Sequence, residues 1–146
     1  MDYLSKLPER LNDLMLEQEL NAPTLSAKTG LSSSAIRSWV RGARLPTLES
    51  VIRLADYFQC SLDYITGKEE KFEIVLARPL PSLYERIRSV MKSKGVSRYS
   101  VAHKTSIRDS HITNWSRGEI PTLESICILA DYLNVSLDYL VGRTDY

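Results

Sequence analysis

Two sets of polar side chains recur at helical spacing. Ser33, Ser34, Arg37 and Ser38 form one, and Asp109, Ser110, Thr113 and Asn114 the other. Hydroxyls, a guanidinium, a carboxylate and an amide offer hydrogen bonds of every kind, and together they suit recognition rather than reaction. On the opposite side of the same helical turns stand Ile36 and Trp39, and Ile112 and Trp115, which point inward as core anchors. Reaction chemistry has little to work with. His103 and His111 lie near no acid–nucleophile pattern, and no metal spacing, phosphate loop or nucleophile elbow occurs. Cys60 and Cys127 are isolated among apolar residues and read as buried, inert thiols. The chain is expected not to be an enzyme and to need no cofactor or metal.

Charge narrows the class further. The net charge of +1 says little by itself, but the bases are not evenly spread. Between Ser26 and Leu45 there is no acid, and Lys28, Arg37, Arg41 and Arg44 stand there. Between Arg86 and Arg108 there is again no acid, with Arg86, Arg88, Lys92, Lys94, Arg98, Lys104 and Arg108. Such runs give either a basic face for a polyanion or a solvated helix face.

The elements that must hold these groups repeat. Trp39 to Ser50 reads WVRGARLPTLES, and Trp115 to Ser125 reads WSRGEIPTLES. Each is the end of a helix, a bend and the start of another. Arg41-Gly42 and Arg117-Gly118 are stops, and Thr47 and Thr122 are N-caps followed by Glu49 and Glu124 where the helix dipole favours an anion. An internal repeat governs the reading of a whole chain.

Five helices are predicted per copy. In the first they run from Pro8 to about Glu19, from Ala22 to Lys28 behind an Asn21 cap, from Ser33 to Arg41 behind Ser32, from Thr47 to Phe58, and from Leu62 to Thr66 behind Ser61. In the second they run from Ser82 to Lys94 (a longer first helix), from a Ser97 cap, from Asp109 to Arg117, from Thr122 to Leu133, and from Leu137 behind Ser136. Positions 7–42 and 83–118 share 11 identities in 36, whereas 46–67 and 121–142 share 14 in 22, so the last two helices have hardly diverged. The outward face of the third helix has: Ser33, Arg37 and Ser38 correspond to Asp109, Thr113 and Asn114.

The expected organisation is a first domain over 1–67, a linker over 68–80 and a second domain over 81–146. Phe72 to Ala77 is rich in β-formers, so a short extended segment is predicted, lying along one domain or pairing with its copy in a second chain. No apolar run is long enough to span a bilayer and no signal-peptide pattern opens the chain, so the expected compartment is the cytoplasm.

Each copy resembles the lambda-repressor-like (Cro/repressor, XRE-type) helix-turn-helix domain. The resemblance rests on Leu25…Lys28-Thr-Gly-Leu-Ser32…Ile36…Trp39…Arg41-Gly42…Pro46-Thr-Leu-Glu-Ser50…Leu54-Ala55…Ser61-Leu-Asp-Tyr64. The second copy repeats it with Val101-Ala102…Lys104-Thr105…Ile112…Trp115…Arg117-Gly118…Pro121-Thr-Leu-Glu-Ser125…Leu129-Ala130…Ser136-Leu-Asp-Tyr139. It implies an all-α fold of two five-helix DNA-binding domains in tandem. It also implies a sequence-specific regulator of double-stranded DNA, in bacterial, phage or mobile-element settings, with repressor-like action.

By position in that motif, Ser33, Ser34, Arg37, Ser38, Asp109, Ser110, Thr113 and Asn114 are expected to face base edges in the major groove. Asn21, Lys28, Arg41, Arg44, Ser97, Arg98, Lys104 and Arg117 are expected at phosphates, with the first amides of the second helix assisting. Asp109 has a second reading, as the cap of its helix, because Arg108 lacks an acceptor. The chain departs from the family where Gln usually opens the second helix: Ala22 makes no such contact, and Arg98 is placed for a phosphate or a guanine. Ser106 replaces the turn glycine, which costs backbone energy unless the turn differs.

Three arrangements fit. Tandem domains can act as a covalent pseudo-dimer on unlike half-sites, since residues 67–83 extend roughly 50 Å against the ~34 Å between half-sites one turn apart. Alternatively, the second, more basic copy binds DNA while the first dimerises, through the surface of its fourth and fifth helices or through the linker. A third class is a protein-interaction module, antirepressor or antitoxin-like. No membrane contact and no small-molecule ligand are expected.

Overall fold

The computed structural model describes residues 2–146; its regular elements are helices, in two compact units divided between Ala77 and Arg78. In the first unit a 3-10 turn, Tyr3–Lys6, leads into α1 (Leu7–Glu17). Then follow α2 (Ala22–Thr29), α3 (Ser33–Val40), α4 (Leu48–Phe58) and α5 (Leu62–Ile65). Four of these starts are fixed by the side chains expected there. Asn21 Oδ1 accepts from the Thr24 N–H at 2.9 Å, while Thr24 Oγ1 accepts from the Asn21 N–H at 2.9 Å, a reciprocal box. Ser32, Thr47 and Ser61 each accept from the backbone three residues on, at 3.2, 3.1 and 3.0 Å. α1 ends two residues earlier than expected, at Glu17.

Leu11, Leu25, Ile36, Trp39, Leu48 and Leu54 meet in one buried core. Arg10 secures α1 to the end of α5: its guanidinium donates to the Glu69 carbonyl at 2.8 Å and to Glu70 at 2.9 Å, and lies 4.4 Å from the centre of the Tyr64 ring. Lys6, hydrogen-bonded to Glu70, holds that carboxyl below its usual range, and Arg10 adds to the effect. The contact is therefore present at neutral pH and fades as pH falls through the lowered value.

Gly67 closes α5 with φ of +90°, and a Cβ there would sit 2.3 Å from the Tyr3 carbonyl oxygen. A left-handed backbone costs an L-residue about 1–2 kcal/mol, and forced overlap about 1–3 kcal/mol more. Gly67→Ala is thus expected to lower the melting temperature of the first unit by about 10 °C or more, followed by Trp39 fluorescence in a Trp115→Phe background. An unchanged melting curve would contradict the close approach.

The β-forming stretch after Gly67 makes a single antiparallel bridge, Ile74 to Cys60, rather than a strand. The Ser61 N–H donates to Glu73 at 2.9 Å, the Val75 N–H donates to Gln59 at 3.2 Å, and Val75 is buried. The segment thus lies along the first unit, and a segment paired in this way is not the fully extended one from which a 50 Å reach is reckoned.

The second unit repeats the plan as α6 (Leu83–Ser93), α7 (Arg98–Lys104), α8 (Asp109–Ser116), α9 (Leu123–Leu133) and α10 (Leu137–Val141). α6 has 11 residues, as α1 has, so the expected longer first helix is not found. Leu83 is only half-buried; Ile87, Val90 and Met91 carry the inward face. Arg86 repeats the role of Arg10: it donates to the Tyr139 carbonyl at 3.0 and 2.8 Å and lies 4.5 Å from the Tyr139 ring centre. A residue counted in a basic run is therefore a structural clamp and belongs to no basic face. Asp138 and Arg143 form a buried ion pair beneath α10. Cys60 and Cys127 are buried and not joined in a disulfide. No helix is long and apolar enough to cross a membrane among the described residues.

Candidate functional site

The two polar faces identified in the sequence lie on α3 and α8. Both helices are anchored by their other side, where Ile36, Trp39, Ile112 and Trp115 are buried. On α3, Ser34 and Arg37 are exposed, and Ser33 and Ser38 are half-buried. The Ser34 hydroxyl lies 3.0 Å from the Ser32 hydroxyl, so part of its capacity goes to the cap.

A groove of about 470 Å³ runs between α1, the start of α2 and α3, and its lining includes Asn21, Ala22, Pro23, Arg37 and Arg41. It brings together three of the predicted residues, Asn21, Arg37 and Arg41, while Lys28 and Arg44 lie outside it. Among the described residues, no acid comes within ion-pair distance of Lys28, Arg37, Arg41 or Arg44. Their positive charge is uncompensated locally. The start of α2 is poorer in donors than expected, since Pro23 has no N–H and the Thr24 N–H is taken by Asn21.

The second unit differs in one decisive side chain. Where the first copy has Ala22, Arg98 reaches from the start of α7 to α8. It donates through Nε to Asp109 Oδ1 at 3.0 Å, and through Nη2 to the Asp109 carbonyl at 3.1 Å and to Thr113 Oγ1 at 2.6 Å. A free carboxylate on this face would repel a polyanion; here a guanidinium neutralises and orients it. Asp109 does not cap α8. Arg108 occupies that position, and the His111 Nδ1 accepts from its N–H at 3.1 Å, so only the returning half of a capping box is made. The three-residue spacing of Arg108 and His111 was the available signal, obscured because histidine is not the usual partner.

Ser110 and Asn114 are exposed, and among the described residues their side chains make no hydrogen bond. The Asn114 amide thus keeps a donor and an acceptor side by side. Ser97 accepts from the Ser100 N–H at 3.1 Å. Lys104 and Arg117 are exposed with no acid in range among the described residues. His103 stacks on Tyr99, ring centres 5.3 Å apart.

The turn between the second and third helices is built in two ways. Gly30 ends α2 in the left-handed region at φ of +77°. In the second unit α7 stops earlier, and Thr105 leads out extended at φ of −131°. Ser106 therefore bears no left-handed strain. Both turns share one brace. Thr29 and Thr105 donate to the carbonyls of Leu25 and Val101, both at 2.7 Å, and accept from the N–H of Leu31 and Ile107.

A second groove, of about 320 Å³, has a floor of Ile87, Met91, Val96 and Ile112 and a rim that includes Arg88, Lys92 and Arg98. The first copy has Asn12, Leu16 and Ala22 at the three rim positions. Of the 86–108 run, these three bases share one groove, and only the second unit carries them.

Comparison with known proteins agrees with this geometry. A family model described as helix-turn-helix matches residues 13–65 and again residues 87–140. No curated protein and no solved structure matches the chain.

Proposed function

The chain belongs to the XRE-type helix-turn-helix family of DNA-binding regulators, and on that premise we propose that it is a sequence-specific, repressor-like regulator of double-stranded DNA whose two units read unlike half-sites. Helices α3 and α8 enter the major groove, where every base pair carries a distinct pattern of donors and acceptors. The observation that carries this reading is the exposed face of α8: an unengaged Asn114 amide beside Asp109 and Thr113, both held by Arg98. Asn114 pairs bidentately with adenine, and Arg98-bound Asp109 accepts from a cytosine amino group. Arg37, with Ser33, Ser34 and Ser38, reads through α3. Asn21, Lys28, Arg41, Arg44, Ser97, Lys104 and Arg117 hold phosphates, which fix register without carrying sequence. Occupying an operator blocks transcription by steric means alone, so a repressor-like role asks nothing of the units beyond binding.

Selection from random duplex DNA with the intact chain tests this. One site with two unlike halves is expected. Asn114→Ala then costs about 1–3 kcal/mol at one base pair and relaxes preference there. Arg117→Ala weakens all sequences alike and lowers the salt slope by about one. Unchanged preference in Asn114→Ala would remove it from the readers.

A second reading concerns the first unit alone. Its α3 carries small hydroxyls, one of them spent on the Ser32 cap, and α2 lacks an amide at Pro23. These features favour a protein-interaction role for that unit while the second binds DNA. Selected sites with only one specified half would favour it.

A further inference from the structure

The segment after α5 is paired along one edge only. Its bridge to Cys60 uses the Glu73 carbonyl and the Val75 N–H, so the N–H and C=O of Ile74 point away from the unit. The alternation of an extended chain places those of Phe72 and Leu76 on the same outer edge. Among the described residues, none of these six groups takes a hydrogen bond. The same three residues carry the exposed apolar side chains, 42%, 68% and 60% accessible for Phe72, Ile74 and Leu76. An open edge with an apolar row is a template for another strand.

We propose that this edge pairs, antiparallel and about a two-fold axis at Ile74, with the same segment of a second copy of the chain. The segment is self-complementary in that register. Ile74 faces its own copy and exchanges both backbone hydrogen bonds with it, and Phe72 faces Leu76. No like charges meet, because Lys71 faces Ala77 and Glu73 faces Val75. Centring the pair on Glu73 instead would bring two carboxylates together. An isologous contact of this kind closes at two chains and assembles four third-position helices in one particle. It is independent of what those helices bind.

Light scattering on the intact chain, without DNA, across about 1–200 µM, a range suited to a weak short contact, provides the test. The mass is expected to rise from 16.6 kDa towards twice that value. Ile74→Lys puts charge against charge on the axis, and Ile74→Pro removes the central N–H; each is expected to raise the midpoint concentration at least tenfold with an unchanged helical spectrum. Should Ile74→Pro disturb the fold, Ile74→Lys decides alone. A mass that stays at 16.6 kDa throughout, or a dimer that persists undiminished in a folded Ile74→Lys chain, overturns the proposal.

Discussion

Asp138→Asn is expected to destabilise the second unit severely and leave the first intact. The carboxylate of Asp138 and the guanidinium of Arg143 are both buried and bound to one another. Removing one charge strands the other out of water, at a cost of about 3–5 kcal/mol. A unit of this size has a total stability of only about 3–10 kcal/mol at the usual ~0.05–0.15 kcal/mol per residue. Hydrogen exchange read peptide by peptide is the suitable measurement. Protection should collapse across 78–146 and persist across 1–77, because each unit closes its own core. A joint Asp138→Leu and Arg143→Met replacement should restore much of it, since an apolar pair carries no stranded charge. Uniform exchange, or no change in the single variant, would show that the pair is not what holds α10.

Arg98→Ala is expected to weaken binding to the selected DNA site by about 1–3 kcal/mol, roughly 5- to 150-fold. Two effects add. A cation is lost from the rim of the groove, and the Asp109 carboxylate is left unneutralised on the face that the proposed mode turns to DNA. The second effect separates from the first in a double-mutant cycle. Asp109→Ala should be harmful in the parent chain but should recover part of the affinity once Arg98 is gone. Strict additivity would mean that Arg98 contacts DNA directly and does not act through Asp109.

Much of the fold was legible because local chemistry decides it. Asn21, Ser32, Thr47 and Ser61 cap where their side-chain oxygens and the following periodicity said they must, and Ser97, Thr122 and Ser136 do the same in the second copy. The outward faces of α3 and α8 were legible through the anchors opposite them. What stayed hidden was direction. A run of bases reports sign and number, but an arginine stem reaches a carbonyl, a carboxylate or solvent equally well. Arg86 is spent on Tyr139 and Arg98 on Asp109, and neither choice is written in its neighbours. The identity of Arg10 and Arg86 in an otherwise diverged half of the repeat was the one hint of a shared structural duty. The β-forming stretch was ambiguous for a related reason. Its composition specifies an extended chain, whereas which edge is used depends on Cys60, outside the stretch itself.

The Thr29 and Thr105 braces have a consequence for how such a molecule changes its target. Each hydroxyl ties the second helix to the residue that launches the third, so the angle of presentation is set behind the reading surface and not on it. Letters on that surface can then be exchanged while the page keeps its tilt. On the proposed reading, with two such surfaces in one chain, the address of one can be rewritten while the other still holds the molecule to its old site.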